Sequence, residues 1–110
     1  MGPDIRQPIA SGSFYSSDPG RLTKDIKGFL SNSKYHNLSG IKALISPHAG
    51  YIYSGQVAAH AYRQIEGGGY QLALVIAPSH SEYFNYISIY PGSSYATPLG
   101  YLEIDRKNSE

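Results

Sequence analysis

The chain has 110 residues, a net charge of +1 and only 15% charged side chains: the size of one modest domain, with no basic field to hold a nucleic-acid backbone or an anionic membrane. It has no cysteine, which excludes disulfides and any thiolate chemistry carried by this stretch. The longest apolar run, Leu72 to Ala77, is far below the roughly 18–20 residues that cross a bilayer, and Met1 to Arg6 carries no targeting pattern, so a cytoplasmic location and no membrane partner are expected.

Eleven tyrosines stand against three phenylalanines and no tryptophan, and every phenolic hydroxyl needs a partner or water. Between Arg63 and Glu103 the only charges are Glu66 and Glu82, while Tyr70, Tyr83, Tyr86, Tyr90, Tyr95 and Tyr101 all fall there. A stretch of that composition calls for cover, from an absent C-terminal portion or an oligomeric partner.

The first predicted element is a helix from about Pro19 to Leu30. Asp18 supplies an N-cap carboxylate, Pro19 costs nothing at the first helical position, and Leu22, Ile26, Phe29 and Leu30 form one apolar stripe. Ser31 to Gly40 reads as loop. Ile41 to Ser46, apolar and bounded by Gly40 and Pro47, predicts a buried strand. Gly55 to Ile65 predicts a second helix with Ser54 as its cap, ended by Gly67-Gly68-Gly69, and Leu72 to Ala77 predicts a second strand halted by Pro78. Together these make a βαβ unit, so an α/β fold with a central, mostly parallel sheet is expected. Weaker strands are expected at Ile87 to Tyr90 and Tyr101 to Ile104.

The two strands run into Pro47-His48-Ala49-Gly50 and Pro78-Ser79-His80. Open α/β sheets bind ligands beyond the carboxyl ends of their strands, so each strand delivers a histidine to the expected site. Two convergent imidazoles are a common beginning of a transition-metal site, because each offers a neutral nitrogen lone pair. The competing reading makes each a polar cap or loop hydrogen-bonding group. His36, in a Ser/Asn loop, and His60, off its helix's apolar stripe, read as surface residues. Gly50 to Gly55 has P-loop-like glycine spacing, but Gln56-Val57 replaces the required Lys and Ser/Thr, so it reads as a βα connection rather than a nucleotide site.

The string Pro47-His48-Ala49-Gly50-Tyr51-Ile52-Tyr53-Ser54-Gly55, followed by Ala58-Ala59, Tyr62, Ala77-Pro78-Ser79-His80 and Thr97-Pro98-Leu99-Gly100, resembles the Memo family. Arg6-Gln7-Pro8 and Ala10-Ser11-Gly12-Ser13-Phe14-Tyr15 match that family's opening segment. The family is named for mediators of receptor-tyrosine-kinase-driven cell motility, and its microbial members are associated with the AmmeMemoRadiSam system. Its fold is similar to the class III extradiol dioxygenases, non-haem-iron enzymes that open catechol rings.

The resemblance implies a metal pocket, for iron or copper, with His48 and His80 as both catalytic residues and metal ligands and with redox or oxidoreductase chemistry. A further site Asp, His and Cys lie downstream in the family. Residues 1–110 are therefore expected to be the N-terminal portion of a single Memo-like α/β domain. Arg6 as an anion clamp and Tyr51 as a hydrogen-bond donor, with Tyr53 and Ser54 beside them, are candidates for the pocket lining, and ordinary packing is the competing account. Two other functional readings stand beside the enzyme: a non-catalytic module for a small molecule, a peptide or a phosphotyrosine, and an inactive truncated chain. The dispersal of Arg6, Arg21 and Arg63 speaks against phosphate recognition.

Overall fold

The computed structural model describes residues 4–109. Met1 to Pro3, the start of the segment read for targeting, and Glu110 lie outside the described residues. The architecture is α/β: two helices, α1 (Pro19–Ser31) and α2 (Tyr51–Tyr62), and a three-stranded sheet of β1 (Ile5–Arg6), β2 (Ser94–Thr97) and β3 (Gly100–Glu103), with a short 3-10 turn at Arg106–Asn108. The sheet order is β1-β2-β3, with β1 parallel and β3 antiparallel to β2. The sheet is thus mixed, where a mostly parallel one is expected.

Helix α1 forms as its sequence requires. Asp18 accepts the Arg21 N–H at 2.7 Å, Pro19 opens the first turn, and the Thr23 hydroxyl returns to the Pro19 carbonyl at 2.8 Å. Its stripe meets α2, where Leu22 and Ala59, 3% and 6% exposed, are the buried hydrophobic residues. Phe29 lies on Gly55 so closely that a Cβ there would stand 2.8 Å from the ring. Gln56 completes the joint, its amide donating to the Phe29 carbonyl and the Ser33 hydroxyl at 3.0 Å each.

Helix α2 begins four residues before the expected Gly55, because Gly50, not Ser54, is its N-cap. The free N–H of Tyr51 is taken by the Phe14 carbonyl at 2.8 Å, from the compact turn of Ala10 to Tyr15. A contact from elsewhere in the chain satisfies the helix start, so no capping side chain is needed.

The predicted strands at Ile41–Ser46 and Leu72–Ala77 do not form, and with them the βαβ unit. Neither segment enters a ladder among the described residues, and most of their apolar side chains face solvent, Ile45 at 99% and Ile76 at 85% exposed, with Ile41 and Leu44 half-buried. A strand exists only when a neighbour receives its backbone hydrogen bonds, and no described residue does. Ile87 to Tyr90 likewise stays outside the sheet, whereas the expectation at Tyr101 is met by β3. The Thr97-Pro98-Leu99-Gly100 string is the β2–β3 hairpin. The Thr97 hydroxyl accepts from the Leu99 N–H at 3.1 Å and donates to the Gly100 carbonyl at 2.9 Å, and Gly100 takes a φ of 132° that a side chain would resist.

The N-terminal arm is clamped across nearly the whole chain. The Asp4 carbonyl accepts from the Ser93 N–H at 2.8 Å and the Ser93 hydroxyl at 3.0 Å, and Tyr90 donates its hydroxyl to the Asp4 carboxylate at 2.5 Å. That bond, first, raises the Tyr90 phenol above its ordinary pKa, since ionisation removes the donated proton and sets two negative groups together.

Three outcomes follow from these contacts. Asp18→Ala leaves an N–H of α1 without its acceptor and lowers stability by about 1 kcal/mol in denaturant unfolding. Gly55→Ala is net destabilising by about 1 kcal/mol, because displacing the Phe29 ring outweighs the better helix propensity of alanine. Tyr90 contributes stability that is fully present below the ordinary phenol pKa and lost as pH rises through its higher folded value. The difference between the ultraviolet phenolate titrations of wild type and Tyr90→Phe isolates this late-titrating group, and Asp4→Asn moves it back toward the ordinary range.

Candidate functional site

His48 lies just before the N-cap of α2, two residues from Gly50, and His80 follows Pro78-Ser79 at the end of the Leu72–Ala77 segment. Although 32 residues separate them in sequence, their Nε2 atoms stand 3.1 Å apart, with ring centroids at 5.3 Å and planes inclined by 31°. The convergence expected from two strand ends is therefore present, although the segments that carry the histidines are not strands.

Local structure explains how His48 is presented. The Ser54 hydroxyl, buried, donates to the Ala49 carbonyl at 3.1 Å, and Phe14 holds the first N–H of α2, so the backbone that follows His48 is tied to a helix start that is itself held. Both histidines are exposed.

The Nε2 separation tests whether the pair suits a metal ion. Nitrogen ligands at about 2.0–2.1 Å from one ion stand about 2.9 Å apart at a right angle and about 3.4 Å apart at the tetrahedral angle. The observed 3.1 Å falls between these values. Iron and copper both accept imidazole nitrogen, so the donor type fits as well. The same distance accommodates one N–H···N hydrogen bond when no ion lies between the rings. Among the described residues, no group of three or more His, Asp or Glu side chains is drawn together.

The remaining sequence candidates are placed elsewhere or engaged otherwise. Arg6 lies over the Tyr90 ring, 5.6 Å from its centroid. Tyr51 packs against Tyr15 at 5.5 Å and Phe29 at 6.2 Å, and burial there, ahead of the influence of Tyr15 and Tyr62, raises its phenol pKa. Tyr53 is exposed, and Ser54 spends its hydroxyl on Ala49. Among the described residues no hydrogen bond joins Arg6, Tyr51, Tyr53 or Ser54 to either histidine. Two concave surfaces lie apart from the pair, one between Ile89–Gly92 and Ile104, Arg106 and Ser109, the other among Tyr35, Arg63 and Glu66. His36 and His60 serve through their backbones, each bonded to the Gln64 side chain, as suits surface residues.

One residue with a part in this region escapes a reading by motif. Tyr70 donates its hydroxyl to the Ile41 carbonyl at 3.0 Å, linking the two segments that lead to the histidines. The signal for it is the surplus of phenols, each in need of an acceptor.

Residues 6–110 match the family model described as Memo-like protein. The MEMO1 family protein of Methanothermobacter thermautotrophicus is 37% identical over 96% of this chain and 41% of its own length. The MEMO1 family protein of Schizosaccharomyces pombe is 37% identical over 96% of this chain and 33% of its own, and Protein MEMO1 of Danio rerio is 35% identical over 93% and 34%. The chain thus spans about two fifths or less of the length of these relatives. With the match running through both histidine strings and the hairpin string, the chain belongs to the Memo-like protein family.

Proposed function

We propose that His48 and His80 are two ligands of a metal site, for iron or copper, and that the protein serves a redox reaction of the oxidoreductase class. The observation that carries this reading is the 3.1 Å Nε2–Nε2 separation, reached across 32 residues and matching two adjacent nitrogen donors on one ion. When bound, such an ion supplies a Lewis-acid position for a substrate oxygen and a one-electron redox couple. The chain's own contribution is to bring two neutral imidazole lone pairs together at an exposed place that substrate can reach.

Two protein ligands are fewer than the three or four of a tight zinc-type site. Since the relatives are more than twice as long, the remaining positions are assigned in this reading to groups outside the matched stretch. The exposed aliphatic side chains of Ile41–Ser46 and Leu72–Ala77 fit the same account, in which further polypeptide, from the same protein or a partner, covers them. A dioxygenase-like fold for the whole protein and a cytoplasmic site of action belong to this proposal. Among the described residues, no helix is long and apolar enough to cross a membrane.

A phosphotyrosine-binding module is less well supported. Arg6 is spread on Tyr90, and Arg63 lies 5.8 Å from the Tyr35 ring centroid and pairs with Glu66, so these two arginines are engaged at separate places.

Elemental analysis and calorimetric titration with Fe(II) and Cu(II) test the metal reading. Wild type is expected to bind one ion per chain. His48→Ala and His80→Ala are each expected to weaken binding by tenfold or more, since each removes half of the protein donor set, as the order-of-magnitude effects of lost ligand support suggest. Affinity is expected to fall as the solution is acidified, because protons compete for the ring nitrogens that bind the ion. Unchanged stoichiometry and affinity in both variants would overturn the assignment.

A further inference from the structure

We propose that Tyr70 is a positioning residue for the His48–His80 pair, seated by Gly68; the inference rests on the metal reading only for its consequence, not for its geometry. The Ile41–Ser46 and Leu72–Ala77 segments form no ladder, so sheet hydrogen bonding does not set their relative position. Their side-chain hydrogen bonds to one another lie at the two ends. Where the segments begin, the Tyr70 hydroxyl donates to the Ile41 carbonyl at 3.0 Å, and where they finish, the two imidazoles meet at 3.1 Å. The tyrosine therefore substitutes for the missing ladder at the end opposite the histidines.

The glycine run before Tyr70 is shaped for this task. Gly67 and Gly69 have φ of 73° and 67°, the left-handed region in which glycine avoids a steric penalty. Gly68 has no such φ, and its reason is different. A Cβ at position 68 would stand 2.5 Å from Cε2 of Tyr70 and 3.0 Å from the Ile65 carbonyl oxygen, so the tyrosine ring lies where a side chain would otherwise be. Two features, a missing side chain at 68 and a directed hydroxyl at 70, therefore converge on one contact, and that contact ties together the segments that end in the histidines.

Two variants dissect the device. Tyr70→Phe keeps the ring and removes the hydroxyl, whereas Gly68→Ala keeps the hydroxyl and displaces the ring. The first readout needs no metal: nuclear Overhauser contacts between the ring protons of His48 and His80, expected in wild type and expected to weaken severalfold in both variants. The second is Cu(II) titration, in which both variants are expected to lose about tenfold in affinity, the size typical when a group that orients a ligand is removed. Wild-type ring contacts in Tyr70→Phe would overturn the positioning role whatever the metal result. Ring contacts that weaken in both variants while wild type binds no Cu(II) would uphold the positioning role and overturn the metal reading alone. Loss of ring contacts in Gly68→Ala together with wild-type contacts in Tyr70→Phe would also overturn it, by assigning the effect to the turn and not to the hydroxyl.

Discussion

The seating of Phe29 on Gly55 is the contact on which the arrangement depends. It lets α1 and α2 approach until the Gln56 side chain of α2 donates to the Phe29 carbonyl and the Ser33 hydroxyl, and Leu22 and Ala59 lie buried where the helices meet. With α2 anchored in this way, its first turn becomes a fixed platform. Ser54 then ties the Ala49 carbonyl to that platform, whose first N–H is held by Phe14, and His48 is carried with it. The histidine is thus positioned by helix packing rather than by a strand end.

His80 is reached by another route. The segment before it is held by neither sheet nor helix, and its aliphatic side chains lie in water. Exposed runs of this kind are costly in the hydrophobic sense, at roughly 25 cal/mol for each Å² of apolar surface left uncovered. The polar contacts beside such gaps are tyrosine hydroxyls directed at backbone or carboxylate acceptors: Tyr70 on Ile41 and Tyr90 on Asp4. The tyrosine surplus therefore has a structural use distinct from packing. Phenols reach over gaps in the fold that aliphatic side chains cannot bridge with a directed bond.

Much of the local structure was legible in the residues. Asp18-Pro19 and the stripe through Phe29 specify α1 because cap and periodicity are local properties, and the run from Tyr101 marks β3, whereas Thr97–Gly100 stands in the sequence only as a family string and its first strand, Ser94–Thr97, is not expected from it. The start of α2 was misplaced because the acceptor for its Tyr51 N–H is the carbonyl of Phe14, far away in sequence and invisible to any local rule. The two apolar runs read as strands because their composition suits burial on both faces. Composition specifies what surroundings a segment suits, and hydrogen-bonded neighbours decide whether it becomes a strand. The pair of histidines was legible as a coincidence of two Pro-containing strings. The companion residues were not, since Arg6 is drawn to the Tyr90 ring and Tyr51 to Tyr15 and Phe29 by contacts that the strings do not contain.

By itself the sequence determined the family, α1, most of α2, the strand β3 and the identity of the two imidazoles, because each is set by short-range spacing or by a motif. Only the tertiary structure decided that His48 and His80 face each other at 3.1 Å, that Arg6 stands over Tyr90, and that a tyrosine following three glycines spans the segments between. These are distances between residues tens of positions apart, and such distances are set by packing and directed hydrogen bonds, which local propensity does not contain.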